Sequence, residues 1–143
     1  HLIIAGAGPK QGDIERIGCG NIHLVGRLGR QDMAALMSQA DAMALPSRSE
    51  GFATTLLEAA ACATPAIVTS VGGTDELVSD ERFGTIIPNA RTETVEAALR
   101  EAARNPQRLA EQGENVARRV RAEYSWRRTA ERALSACRKA NEK

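Results

Sequence analysis

Aromatic residues are scarce in this chain. Two Phe, one Tyr and one Trp make up 3% of its 143 residues, so any core must be built from Ala, Val, Ile and Leu. With one Trp, one Tyr and no interleaving of aromatic with basic residues, nothing supports nucleic-acid binding. Cysteine is equally sparse. Cys19, Cys62 and Cys137 form an odd, scattered set without Cys-x-x-Cys spacing, which favours free thiols in a reducing cytoplasm over a disulfide framework or zinc site. No apolar run approaches the ~18 residues needed to span a bilayer, and the expectation is a chain without a signal peptide.

What remains is ordinary for one globular domain. The net charge of +1 conceals an asymmetry. Residues 1–99 hold 7 basic and 12 acidic residues, net −5, and residues 100–143 hold 12 and 6, net +6. A basic C-terminal segment of this kind suits contact with anionic lipid or an acidic neighbouring domain; the plainer reading is a solvated helical surface.

Short apolar runs alternate with amphipathic ones. Residues 2–5, 22–25, 42–45, 65–69 and 84–88 read as strands, several ended by Gly or Pro, and Leu2–Ala5 reads as a buried parallel one. Helical spacing covers 10–18, 31–40, 53–62, 74–78, 92–104, 107–123 and 126–139, with Ser125 as N-cap of the last. The pattern predicts an α/β fold: an open Rossmann-like parallel sheet with helices on both faces and helices at the C-terminus. Ligands bind such sheets at the carboxyl ends of the strands. Three loops there carry unusual chemistry: Gly6–Pro9, Gly26–Gly29 and Pro46–Phe52.

The richest segment is Ser49-Glu50-Gly51-Phe52-Ala53-Thr54-Thr55-Leu56-Leu57-Glu58-Ala59. A helix starting near Ala53 or Thr54 presents unpaired amides and the positive end of its dipole, a site for phosphate. Glu58 lies one turn past Thr54 on the same face, inside a mostly apolar helix, where a buried carboxylate needs a polar partner. A phosphate at the helix start, with hydroxyls one turn deeper, suits this layout. Glu50 stands at the loop mouth. The competing reading makes Thr55-x-x-Glu58 and Ser47-x-x-Glu50 capping boxes that only satisfy backbone donors. His23, Cys62, Met33, Met37 and Met43 read as ordinary core or surface residues.

The run Glu50-Gly51-Phe52 through Glu58-Ala59 resembles the Glu-x7-Glu signature of retaining, nucleotide-sugar-dependent glycosyltransferases with the GT-B fold, of the family-four type. Leu2–Pro9, Asn21–Leu28, Ala40–Ser47, Thr64–Val68, Val71–Val78 and Tyr124-Ser125-Trp126 resemble further segments of that family, in its order. The resemblance implies a nucleotide-sugar (donor) binding domain over 1–143. Glu50 would be catalytic, touching donor-sugar hydroxyls near the reacting carbon. Gly51, Phe52, Ala53, Thr54 and Thr55 would hold sugar and diphosphate through backbone amides. Glu58 would bind ribose, and Gly26, Arg27 and Leu28 the base. No metal or other cofactor is implied beyond the nucleoside-diphosphate sugar, and there is no Asp-x-Asp run.

Two departures stand out. The family usually has Gly where this chain has Ala53 and Ala63, and a positive φ at 53 would strain Ala53. The family's first strand, with its Arg/Lys loop, and its acceptor-binding N-terminal domain have no counterpart here. His1 leads directly into a strand. The expectation is therefore a fragment whose sheet lacks its central strand, inactive alone, partnered by the missing domain and by an acceptor glycan or lipid-linked sugar. The location implied is the cytoplasm, with peripheral contact at the inner membrane face. A non-catalytic nucleotide-binding module is the alternative. A dinucleotide-dependent oxidoreductase fails because Gly6-Ala7-Gly8-Pro9 lacks the third glycine and no acidic residue ends a second strand about 20 residues on.

Overall fold

A computed structural model describes residues 1–141. The chain forms two compact units, His1–Leu36 and the remainder from Met37. In the first, β1 (Leu2–Ala5) and β2 (Ile22–Gly26) pair in parallel around α1 (Gln11–Ile17), with Leu2 opposite Ile22 and Ile4 opposite Leu24. Helix α1 ends at Gly18, whose φ of 65° supplies the left-handed terminating residue. Helix α2 (Arg30–Gln39) follows.

The expectation of a buried β1 is not met. Leu2 and Ile3 are each 44% exposed. A strand is buried on both faces only where layers cover both and neighbours flank both edges. Among the described residues β1 pairs with β2 alone.

The second unit holds β3 (Met43–Leu45), β4 (Ala66–Thr69) and β5 (Gly84–Ile87), parallel and in that order. Strand β4 is central and buried along its whole length. Its side chains alternate between two cores, as a period of two requires. Ala66 and Val68 join Leu56 and Ala60 of α3 (Thr54–Ala61) and Val116 and Val120 of α6 (Pro106–Glu123). Ile67 joins Ile87 of β5 and Ala98 of α5 (Thr92–Arg104) on the other face. Ile67 and Val68 are almost wholly excluded from water, each stabilising the fold by about 1.5–3 kcal/mol. Helices thus cover both faces of this sheet, as predicted.

The strands form two sheets where one was expected, and among the described residues no ladder joins β1–β2 to β3–β4–β5.

Helix α4 (Thr74–Leu77) is one turn, and α7 (Trp126–Asn141) closes the described chain. Ser125 caps α7 as predicted, its Oγ accepting from the amide of Arg128 at 3.3 Å. Trp126 is 89% exposed. Among the described residues no helix is long and apolar enough to cross a membrane.

Candidate functional site at the start of helix α3

The loop from Pro46 to Ala53 carries the chain from the carboxyl end of β3 to α3, and the neighbouring strand fixes it. Thr69, buried at the end of β4, donates its hydroxyl to the carbonyl of Ser47 at 2.5 Å. Ser47 Oγ in turn donates to Glu50 Oε1 at 2.6 Å. The turn after β4 is held by Thr74, whose hydroxyl donates to the Thr69 carbonyl at 2.6 Å and accepts from the Val71 amide at 3.0 Å.

Gly72 and Gly73 of that turn have φ of 54° and 79°, a region glycine enters without strain. Gly72 is required for space as well. A Cβ there would fall 2.0 Å from the carbonyl oxygen of Glu50. The Gly72-Gly73 turn therefore forms the floor under Glu50 and Phe52, and a Cβ on Gly73 would touch the Phe52 ring at 3.4 Å.

Helix α3 opens without a side-chain cap. Its N-cap is Ala53, buried, with φ −73° and ψ 88°. The first helix-closing amide is that of Leu56, bonded to the Ala53 carbonyl at 2.9 Å. The amides of Thr54 and Thr55 precede it. Ser, Thr, Asp or Asn at an N-cap would satisfy one such donor and stabilise the helix by ~1 kcal/mol. With Ala53 these donors stay available at the positive end of the dipole. Thr54 and Thr55 are exposed, Glu50 is half-buried and Phe52 is 45% exposed, so the loop mouth is open.

Several expectations need correction. Glu58 is exposed. Helix α3 buries Leu56, Ala59 and Ala60, and Glu58 falls on the opposite side with Thr54 and Thr55, so no burial demands a partner for it. Neither capping box forms: Thr55 lies inside the helix, and Ser47 meets Glu50 side chain to side chain in a non-helical loop. Ala53 is unstrained, and the left-handed alanine is Ala63, with φ 62°.

The structure therefore gathers Glu50, Gly51, Phe52, Ala53, Thr54, Thr55 and Glu58 on one loop and the first turns of one helix. Gly26, Arg27 and Leu28 lie in the first unit. Gly26 ends β2 with φ 68° and accepts from the Gly6 amide at 2.5 Å; Arg27 is exposed and Leu28 half-buried. Sequence reasoning missed Thr69 and Gly72 as supports of this site. The Gly72-Gly73 pair was the available signal. Among the described residues no cluster of three His, Cys, Asp or Glu side chains is placed to hold a metal.

The model of the family described as Glycosyl transferases group 1 matches residues 1–105. A D-inositol 3-phosphate glycosyltransferase of Saccharomonospora viridis is 38% identical over 112 residues, which are 78% of this chain and 26% of that protein. A GDP-mannose-dependent monoacylated alpha-(1-6)-phosphatidylinositol monomannoside mannosyltransferase of Corynebacterium glutamicum is 31% identical over 142 residues, 92% of this chain and 37% of that protein. Among solved structures, sucrose-phosphate synthase from Thermosynechococcus elongatus superposes with a TM-score of 0.84 at 25% identity, covering 99% of this chain and 38% of that one. Anabaena HepE in complex with UDP shares the fold, with a TM-score of 0.77 at 22% identity, covering 93% of this chain and 40% of that one. The chain thus spans a quarter to two-fifths of the length of these proteins.

Proposed function

The chain belongs to the group 1 glycosyl transferases, and from that premise we propose that it is the donor-binding part of an enzyme that moves a sugar from a nucleoside diphosphate to an acceptor hydroxyl with retention of configuration. The observation that carries this reading is the uncapped start of α3 beside Glu50. Backbone amides from Phe52 to Thr55 hold the sugar and diphosphate, because unpaired helix-start donors suit phosphate oxygens. Glu50 engages sugar hydroxyls near the reacting carbon. Glu58 accepts from the ribose hydroxyls, and the backbone of Gly26, Arg27 and Leu28 holds the base.

No metal or further cofactor is required in this scheme, since helix amides stabilise the charge that develops on the leaving diphosphate. The bond from the anomeric carbon to the phosphate oxygen breaks, and the bond to the acceptor oxygen forms on the same face. The acceptor's proton passes to the leaving phosphate.

The acceptor is a glycan or lipid-linked sugar held by a separate N-terminal domain, a reading supported by relatives about three times as long. The enzyme works in the cytoplasm and touches the inner membrane face through α7. Along this helix Trp126, Ala130, Leu134 and Cys137 share one side, while Arg127, Arg128, Arg132, Arg138 and Lys139 face one Glu131 in charge count, a composition suited to anionic lipid. Binding to vesicles containing phosphatidylglycerol that weakens with salt would support this contact, and indifference to such vesicles would end it.

Calorimetry of the full-length protein with a panel of nucleoside diphosphates and their sugars, joined to a transfer assay, tests the main reading. Binding with sugar transfer is expected. Binding without transfer to any acceptor would favour a non-catalytic module, and no binding of any member would overturn both.

A further inference from the structure

Ser47 makes none of the donor contacts proposed above, yet it is tied on both sides. Its carbonyl accepts from Thr69 Oγ1 at 2.5 Å, and its hydroxyl donates to Glu50 Oε1 at 2.6 Å. Thr69 is itself fixed, buried and in register with Ile87 in the β4–β5 ladder. On the other side the Glu50 backbone rests on Gly72, too close to admit any side chain there. Glu50 is thus held at its backbone by one turn and at one carboxylate oxygen by Ser47. A glutamate side chain has three torsions and several rotamers open to it; the Ser47 bond selects one. Among the described residues Glu50 Oε2 has no bonded partner.

We propose that Ser47 is the positioning residue for Glu50: by occupying Oε1 from the protein side, it aims Oε2 at the donor sugar. Thr69 passes the rigidity of the central strand to Ser47, so the carboxylate is referenced to the sheet although it sits on a loop. This rests on the role proposed for Glu50, and it adds what sets that group's direction. Preorganisation of this kind matters most in the transition state, where a small misplacement costs far more in rate than in ground-state binding.

The test is kinetic, in the full-length enzyme. Ser47→Ala should lower kcat about tenfold or more, with donor KM, nucleoside-diphosphate affinity and Tm close to wild type. Ser47→Thr, which keeps the hydroxyl, should recover most of the loss. In a Glu50→Ala background, adding Ser47→Ala should cost nothing further, since the group it aims is gone. A role in loop packing alone would lower Tm and nucleotide affinity together and persist in that background. Wild-type kcat in Ser47→Ala, or an undiminished loss in the Glu50→Ala background, overturns the proposal. Should Ser47→Ala not fold, Ser47→Cys keeps the shape with a weak donor and must show the same drop in kcat. Wild-type turnover in Glu50→Ala would instead remove the underlying role of Glu50.

Discussion

Gly113, midway along α6, lies directly against the carbonyl oxygen of Ala63, where a Cβ would fall 2.1 Å away. This approach lets α6 pack on the end of α3, and it explains a glycine inside an 18-residue helix. Gly113→Ala should therefore destabilise the fold. Forcing a methyl against backbone costs about 1–3 kcal/mol, which outweighs the gain of up to ~1 kcal/mol that alanine brings to a helix interior. Thermal denaturation should show a lower Tm, and a raised one would contradict this packing.

Ala63 itself occupies the left-handed position of a helix-ending motif. The Thr64 amide donates to the Ala59 carbonyl at 2.9 Å and the Ala63 amide to that of Ala60 at 3.1 Å, the paired bonds of a Schellman end. Glycine suits that position, and a Cβ there costs roughly 1–2 kcal/mol. Ala63→Gly should raise stability by about 1 kcal/mol, part of the relief being offset by the freer unfolded chain. Chemical denaturation that shows a lower midpoint would contradict the assignment.

Tyr124, the chain's sole tyrosine, donates its hydroxyl to the Glu76 carbonyl at 3.3 Å. Burial pushes its phenol above the ordinary value near 10. The unfolded chain therefore releases this proton first. The stability tied to it is fully present below the unfolded value and is lost as pH rises through the folded one. Ultraviolet titration of phenolate should give a higher midpoint in the native than in the unfolded protein; equal midpoints would contradict it.

The contrast between expectation and structure follows from what each residue type constrains. The run Pro65–Thr69 reads as a strand from its compact apolar pattern, while its central place and its two cores are set by the strands and helices packed around it. The helices were legible from their spacing, and the start of the last one from Ser125. Glu58 was misplaced because Thr54–Ala61 is rich in alanine, which fits buried and exposed faces alike, so apolar composition did not fix the angle around the helix. The exposure of Leu2 and Ile3 depends on what lies beside β1, which no local pattern encodes. The Ser47–Glu50 bond was hidden because a Ser-x-x-Glu spacing fits both a capped helix and a folded loop. Only the strand-borne Thr69 and the Gly72 floor decide between them.

Glu58 is exposed, so its proposed contact with ribose must be judged by binding rather than by folding. Glu58→Ala should leave Tm nearly unchanged, because surface substitutions usually fall within about 0.5 kcal/mol. Nucleoside-diphosphate affinity should weaken by ~1.5–3 kcal/mol, the scale of hydrogen bonds to a charged group. Calorimetry that finds unchanged affinity in the folded variant would remove Glu58 from the site.

In the proposed reaction the loop at the start of α3 acts on the transferred sugar through Glu50. The most direct measurement is the pair of kcat and nucleoside-diphosphate affinity for Glu50→Gln in the full-length enzyme, because a group that works mainly in the transition state lowers turnover without loosening the nucleotide. The expected result is a kcat reduced by about 100-fold or more, the scale of lost transition-state contacts, at near-normal affinity. Transfer at the wild-type rate would contradict it.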